Sequence, residues 1–200
     1  MRTMTDARRK AILEAAHTAF AASGFRDTTV DAIARLFGGS KATIYKYFPS
    51  KEDLFVAVTE TFVLQTVLEA FHLLEHDGEL VETLTKFGRL YLASVLNSDV
   101  MGLKNVVAQE GQNSDIATFF YHAGPARGQD DIRRFLERQR ERGRISLADS
   151  TLAAHQLTAL LEAEFFEARF YGATGMPGDA EIAAAVDRAL HGFFRIYPRD

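Results

Sequence analysis

Residues that stop helices recur at short intervals over the first fifty positions, at Gly24, Gly38-Gly39 and Pro49, and each stop is followed by a residue able to cap a new helix. Thr5 can open a first helix, in which Ala7, Ile12, Leu13, Ala16, Ala19 and Phe20 recur at helical spacing up to Gly24. Thr28 or Thr29 can cap a second, with Val30, Ile33, Ala34 and Phe37 on one face. Ser40 can cap a third, Lys41 to Phe48, which Pro49 ends. Ser50, with Asp53 three residues on, resembles a capping box at the head of a long fourth helix through Leu54, Phe55, Val58, Phe62 and Leu68. A chain divided this way can build only a compact cluster of short helices there, and nothing in it reads as a strand.

Helical spacing continues to the end of the chain. Leu80, Leu84, Phe87, Tyr91 and Val95 mark an amphipathic helix from Glu79 to Leu96, between a turn at His76-Asp77-Gly78 and a break at Asn97-Ser98. Two shorter helices are expected at Val100 to Glu110 and Ser114 to His122, parted at Gly111. Gly124-Pro125 and Gly128 suggest a loop before a helix from Asp130 to Arg142 that Gly143 closes. Asp149 can cap a long helix to Tyr171, Gly172 to Gly178 form a turn, and Asp179 can cap a last helix ending near Tyr197-Pro198. The expectation is an all-α protein of about nine helices, with no repeat of solenoid period.

Composition bounds the function. Absence of cysteine removes disulfide frameworks, Cys-ligated metals and thiol catalysis, and no apolar run reaches the ~20 residues that span a bilayer. A cytoplasmic protein without a leader or a membrane partner is expected. The overall charge of -4 hides a division along the chain. Residues 1–51 carry nine Lys/Arg against four acids, a net of +5, and the remainder a net of -9. A basic head of this kind suits a polyanion, and the acidic body does not.

Residues 29–48, TVDAIARLFGGSKATIYKYF, have the layout of a helix-turn-helix: a short helix, a glycine-bearing turn and a second short helix. A helix fits the major groove of B-DNA, with its first turn facing base edges while the preceding helix braces it. That first turn is Ser40-Lys41-Ala42-Thr43, small and rich in hydrogen-bonding groups. Tyr45, Lys46 and Tyr47 follow, and Lys51 heads the next helix. From Ile12 to Leu54 the sequence resembles the DNA-binding domain of the TetR family of transcriptional regulators, in the order Gly-Phe, Thr-Thr, Ile-Ala, Gly, Ser-Lys, Thr-Ile-Tyr, Tyr-Phe and Ser-Lys-Glu.

The resemblance implies DNA contacts from Ser40, Lys41, Ala42, Thr43, Tyr45, Lys46 and Tyr47, with Thr28 or Thr29 and Lys51 on flanking phosphates. It implies a DNA-binding domain over 1–52 and an effector-binding and dimerisation domain over 53–200. The turn departs from the family's usual Ala-Gly-Val-Ser. Here it is Phe37-Gly38-Gly39-Ser40, with bulk where a small residue packs and no anchoring valine, so a repacked turn is expected.

The body is rich in aromatics, and a helical bundle of this kind can enclose an apolar pocket with a few orienting polar groups. The residues singled out for it are Phe62, Phe87, Tyr91, Asn105, Gln109, Phe120, His122, Glu164 and Phe165. Leu157, Leu161, Ala168, Val186, Leu190 and Phe193 on the last two helices are candidates for pairing with a second copy. Glu162 and Glu167, with Glu164, otherwise read as a solvated face. No phosphate loop or nucleophile elbow is present, the six histidines are scattered, and neither an enzyme nor a cofactor is expected. The reading is a dimeric repressor of a palindromic double-stranded operator, released by a small apolar or aromatic molecule. The alternative is a DNA-binding protein of the same fold without an effector, constitutive or controlled by a protein partner.

Overall fold

The computed structural model describes residues 6–62, 65–76, 78–110 and 116–199, and the regular structure among them is helical throughout. Thr5, Asp77, Gly111 and Ser114, which carried expectations from sequence, lie outside these residues. The elements are α1 (Asp6–Asp27), α2 (Val30–Phe37), α3 (Lys41–Tyr47), α4 (Lys51–Phe62), α5 (Gln65–His72), α6 (Leu80–Val95), α7 (Ser98–Glu110), α8 (Ile116–Ala123), α9 (Pro125–Glu141), α10 (Ser150–Glu162), α11 (Phe166–Phe170) and α12 (Asp179–Ile196). One segment expected to be continuous divides, into α10 and α11, while residues 63–64, between α4 and α5, lie outside those described. Packing groups residues 1–65 with 103–121 in one compact unit, and 66–102 with 122–200 in another.

In the first unit the stops and caps act locally. Gly24 adopts φ 72°, ψ 175° and kinks α1, so that Phe25 turns back into the core. Thr29, not Thr28, caps α2, its hydroxyl accepting from the Ala32 N–H at 3.1 Å. Gly38 closes α2 in the left-handed conformation, φ 70° and ψ 35°, where a Cβ would be strained. Ser40 caps α3 by accepting from the Thr43 N–H at 3.1 Å. Ile12, Leu13, Phe20, Ile33, Ile44, Phe48, Leu54 and Phe55 form the core, joined by Leu103, Val107 and Phe120.

The second unit is organised around α6, α9, α10 and α12. Phe87, Phe135 and Phe193 are fully buried at its centre, among Leu84, Leu136, Leu157, Leu161, Val186 and Leu190. Two boundaries differ from the sequence reading. Gly124-Pro125 starts α9 rather than a loop, because proline tolerates the first helical position, and Gly128 lies inside the helix against the Phe71 ring. The last helix is capped by Gly178, whose N–H donates to the Glu181 carboxylate at 2.8 Å, so Asp179 is its first residue rather than its cap. Asp149 caps α10 as expected, accepting from the N–H groups of Thr151 and Leu152 at 2.9 Å each.

The residues expected to face a second copy are placed differently. Leu157, Leu161, Val186, Leu190 and Phe193 are at most 4% exposed and fill this unit's own core, and Ala168 is half-buried. Helical periodicity reports that a stripe is buried, but not against which partner. The outward stripe of α10 consists of Leu152, His155, Ala159 and Ala163 instead.

Candidate nucleic-acid interface

The two helices at 30–37 and 41–47 are held by their buried faces, Val30, Ile33 and Ala34 on α2 and Ile44 with Phe48 on and after α3. Each fully buried isoleucine contributes roughly 1.5–3 kcal/mol of apolar burial, enough to fix α3 to the unit. The opposite face of α3 is left outward: Ser40, Lys41, Ala42, Tyr45 and Lys46 are exposed, and Thr43 and Tyr47 are half-buried. Tyr47 also packs against the core, which separates it from Tyr45, 41% exposed. The hydroxyls of Ser40 and Thr43 lie 2.9 Å apart, so a single helical turn presents two adjacent hydroxyls, the small Ala42 and the Lys41 ammonium. Lys41 stands 3.2 Å from Asp31 across the motif, an exposed pair that a phosphate oxygen can displace at small cost.

The altered turn is repacked in a specific way. The ring of Phe37 lies over Gly39, where a Cβ would fall 2.4 Å from the ring's Cε1 and 2.6 Å from its Cδ1. Gly39 does not share the positive φ of Gly38, so it is the ring, not the backbone, that requires glycine there. The Arg8 guanidinium sits over the same ring, 5.6 Å from its centroid, and Arg9 covers Phe48 at 5.2 Å. Aromatic bulk at 37 thus replaces the missing side chain at 39, and neighbouring arginines of α1 cover the end of α2 and the end of α3.

Two expected phosphate contacts face elsewhere. Thr28 is 2% exposed, and its hydroxyl lies 2.6 Å from the Gly24 carbonyl and 3.1 Å from that of Ala19, so it braces the α1 kink. The Lys51 ammonium donates to the carbonyls of Phe25, Arg26 and Thr28 at 2.8, 3.3 and 3.0 Å and lies 4.2 Å from the centre of the Phe25 ring. Its donors are engaged in closing the turn between α1 and α2, as cations do at helix ends. In a bare sequence a lysine at this place looks identical whichever acceptor it meets.

The expected effector residues fall into both units. Phe62, Asn105 and Phe120 belong to the first, where Phe62 stacks on His17 at 4.7 Å and Phe120 is buried in the core; Gln109 belongs there too, but its side chain is outside those described. Phe87, Tyr91, His122, Glu164 and Phe165 belong to the second. His122 is exposed there, and Glu164 is exposed and paired with Arg188 at 2.6 and 2.8 Å, so neither is an interior polar group. Phe87 and Tyr91 do meet, with ring centroids 5.3 Å apart, beside Phe71. Glu162, taken from sequence as part of a solvated face, accepts the Tyr91 hydroxyl at 2.5 Å. Burial first, then the negative charge of Glu162, pushes the Tyr91 phenol well above its ordinary pKa. Half-buried Gln129 on α9 donates from Nε2 to Thr158 on α10 at 2.9 Å, while its buried Oε1 has no partner among the described residues.

Residues 12–58 match the model of the bacterial regulatory proteins of the tetR family, and residues 82–199, more than half of the chain, match the C-terminal domain of AefR-like transcriptional repressors. The chain belongs to the TetR family of transcriptional regulators. Like the rest of the family it is a DNA-binding regulator with a helix-turn-helix domain, not an enzyme. Over 53 residues, 26% of this TetR-family chain and 25% of the relative, it is 50% identical to the HTH-type transcriptional regulator RutR of Escherichia coli K12. It spans no more than 38% of the length of the first curated relatives it matches. Whole-chain likeness comes from solved structures. A TetR-family regulator from Mesorhizobium loti superposes with a TM-score of 0.80 at 24% identity, covering 98% of this chain and 99% of that one. The flavonoid-responsive regulator FrrA gives 0.77 at 28%, covering 98% and 100%.

Proposed function

We propose that this TetR-family regulator is a homodimeric repressor, acting in the cytoplasm, that binds a palindromic operator through the outward face of α3 and is released by a small apolar or aromatic effector. The observation that carries the DNA-binding half is the turn Ser40 to Thr43, where a cap, two hydroxyls 2.9 Å apart and an exposed ammonium stand on a helix anchored from behind by Ile44 and Phe48. Ser40, Lys41, Ala42, Thr43, Tyr45, Lys46 and Tyr47 supply the contacts, with Thr29 on a flanking phosphate. Repression is supported by the AefR-like repressor description of the matching C-terminal model. An aromatic effector is supported by the flavonoid-responsive regulator, 28% identical over nearly the whole chain, and by the Phe71-Phe87-Tyr91 cluster, where the Tyr91 hydroxyl and Gln129 supply polar groups. Dimerisation is supported by apolar side chains left outward on the last helices, Leu152 at 50% and Ile196 at 54% exposed, with Ala159 and Ala163 continuing the α10 stripe. The domain division at 52–53 is retained as the functional one, since α4 starts beside the motif.

The experiment is selection of genomic DNA fragments by the purified protein at fixed salt, followed by affinity measurement on the enriched site. An inverted repeat, bound with an affinity that falls steeply with salt, is the expected result. Thr43→Ala and Tyr47→Phe should each weaken binding without lowering Tm; full affinity in both variants would remove the assignment of α3. Screening aromatic compounds against the bound probe then tests release, and a complex that none dissociates favours the effector-free alternative.

A further inference from the structure

With Thr28 and Lys51 turned inward, few cations remain beside α3 to meet the DNA backbone. The Thr28 hydroxyl braces the α1 kink, the Lys51 ammonium holds three carbonyls, and Lys41 stands 3.2 Å from Asp31. Phosphate contacts supply much of the affinity of a protein for a duplex, so a head that binds DNA needs other cations near the reading helix. Arg8 and Arg9 stand there. They are neighbours on α1, yet their guanidiniums reach different ends of α3. Arg8 lies over the ring of Phe37, ahead of the Ser40 cap, at 5.6 Å from the centroid, and Arg9 over that of Phe48, the residue after Tyr47, at 5.2 Å. The usual turn has alanine in place of Phe37, so the platform under Arg8 is this chain's own.

The attraction between a cation and a ring face acts on the charge as a whole, so it holds each guanidinium without an oxygen acceptor. Neither arginine has a carboxylate or carbonyl partner among the described residues, and Met1 to Thr5, which precede α1, contain no acid. Glu14, further along α1, faces Lys10 instead, at 3.8 Å. In half-buried Arg8 the Nε is buried without a partner, so the donors left for an outside acceptor are its two Nη groups; Arg9 is exposed. A guanidinium held in place, with its terminal N–H groups unspent, matches the paired oxygens of a phosphodiester. We propose that Arg8 and Arg9 are phosphate contacts of the operator complex, one at each end of α3, and that Phe37 and Phe48 hold them in position. The inference rests on the DNA-binding reading above and adds to it the residues that grip the backbone.

Fluorescence anisotropy of the full-length protein tests this across a range of salt, with the duplex enriched by selection and a scrambled duplex of equal length. Arg8→Met and Arg9→Met keep an unbranched stem over each ring and remove the charge. Each should weaken binding to both duplexes by a similar factor, roughly tenfold at low salt, and flatten the slope of log affinity against log salt by about 0.9, the loss of one phosphate contact. Arg8→Lys returns a charge and should recover the slope. A merely structural role would lower affinity for the selected duplex more than for the scrambled one and leave the slope unmoved, and that result overturns the proposal. Arg195→Gln, an exposed cation of the second unit, should change neither quantity; an equal loss there would reduce the effect to net charge and overturn it too. Where Arg8→Met fails to fold, Arg9→Met, at an exposed side chain, decides the matter. A parent that binds neither duplex removes the DNA-binding reading itself, whereas a parent that binds, with affinity and slope unchanged in both variants, removes this inference alone.

Discussion

Gly39→Ala should be costly only because of Phe37. In the native chain the added Cβ would stand 2.4 Å from the Phe37 Cε1, well inside contact, and the ring must rotate away. Overpacking of this kind costs about 1–3 kcal/mol. Displacing the ring also removes the Arg8 stack, a half-buried pair worth about 0.5–2 kcal/mol. Once Phe37 is alanine the obstacle is gone, and since the position has no positive φ, Gly39→Ala should then stabilise by about 0.4–1 kcal/mol through the unfolded chain. The same substitution therefore changes sign with its neighbour, giving a coupling of about 2 kcal/mol in a double-mutant cycle. Urea unfolding of the four proteins measures it, and operator affinity on the same set shows whether the presentation of α3 follows. Gly39→Ala costing the same in both backgrounds, within about 0.5 kcal/mol, would refute the pairing of ring and glycine.

Other substitutions probe the remaining contacts. Lys51→Met should lower stability by about 1–3 kcal/mol in urea unfolding, because three carbonyls lose a charged donor; unchanged stability with weakened operator binding would return Lys51 to the phosphate backbone. Gly128→Ala, with its Cβ 2.6 Å from the Phe71 Cζ, should cost about 1–3 kcal/mol despite the better helix propensity of alanine, as thermal or urea denaturation will show. The raised phenol of Tyr91 means that the folded protein keeps a proton which the unfolded chain releases above about pH 10. Stability from this group is thus complete below that pH and is lost as pH rises, and denaturation between about pH 9 and 11 should show a shallower decline in Tyr91→Phe than in the parent.

Local signals in the sequence translated well where the physics is local. Thr29, Ser40 and Asp149 cap helices because each side chain reaches an N–H two or three residues ahead, and Gly38 stops α2 because only its own φ matters. The outward face of α3 was legible for the same reason. Interactions between distant residues were not. Tyr91 and Glu162 are separated by 71 positions, and the acid reads as solvated until the helices pack. Leu157 and Phe193 carried a correct signal of burial and an incorrect inference of partner, since a second copy and the chain's own core demand the same side chains. Pro125 and Gly128 look like loop residues, yet the first is suited to a helix start and the second makes room for Phe71.

The Lys51 contacts have a mechanical consequence. The first residue of α4 grips three main-chain oxygens of the segment that leads into α2, through bonds of 2.8 to 3.3 Å. A force that displaces the leading end of α4 is therefore delivered to the backbone ahead of α2 through these bonds, beside the packing of Phe55 on Phe25. The joint behaves as a stiff tie rod: α4 and the α1–α2 turn move as one piece until the ammonium lets go, and the strength of that grip sets the threshold at which the two slip.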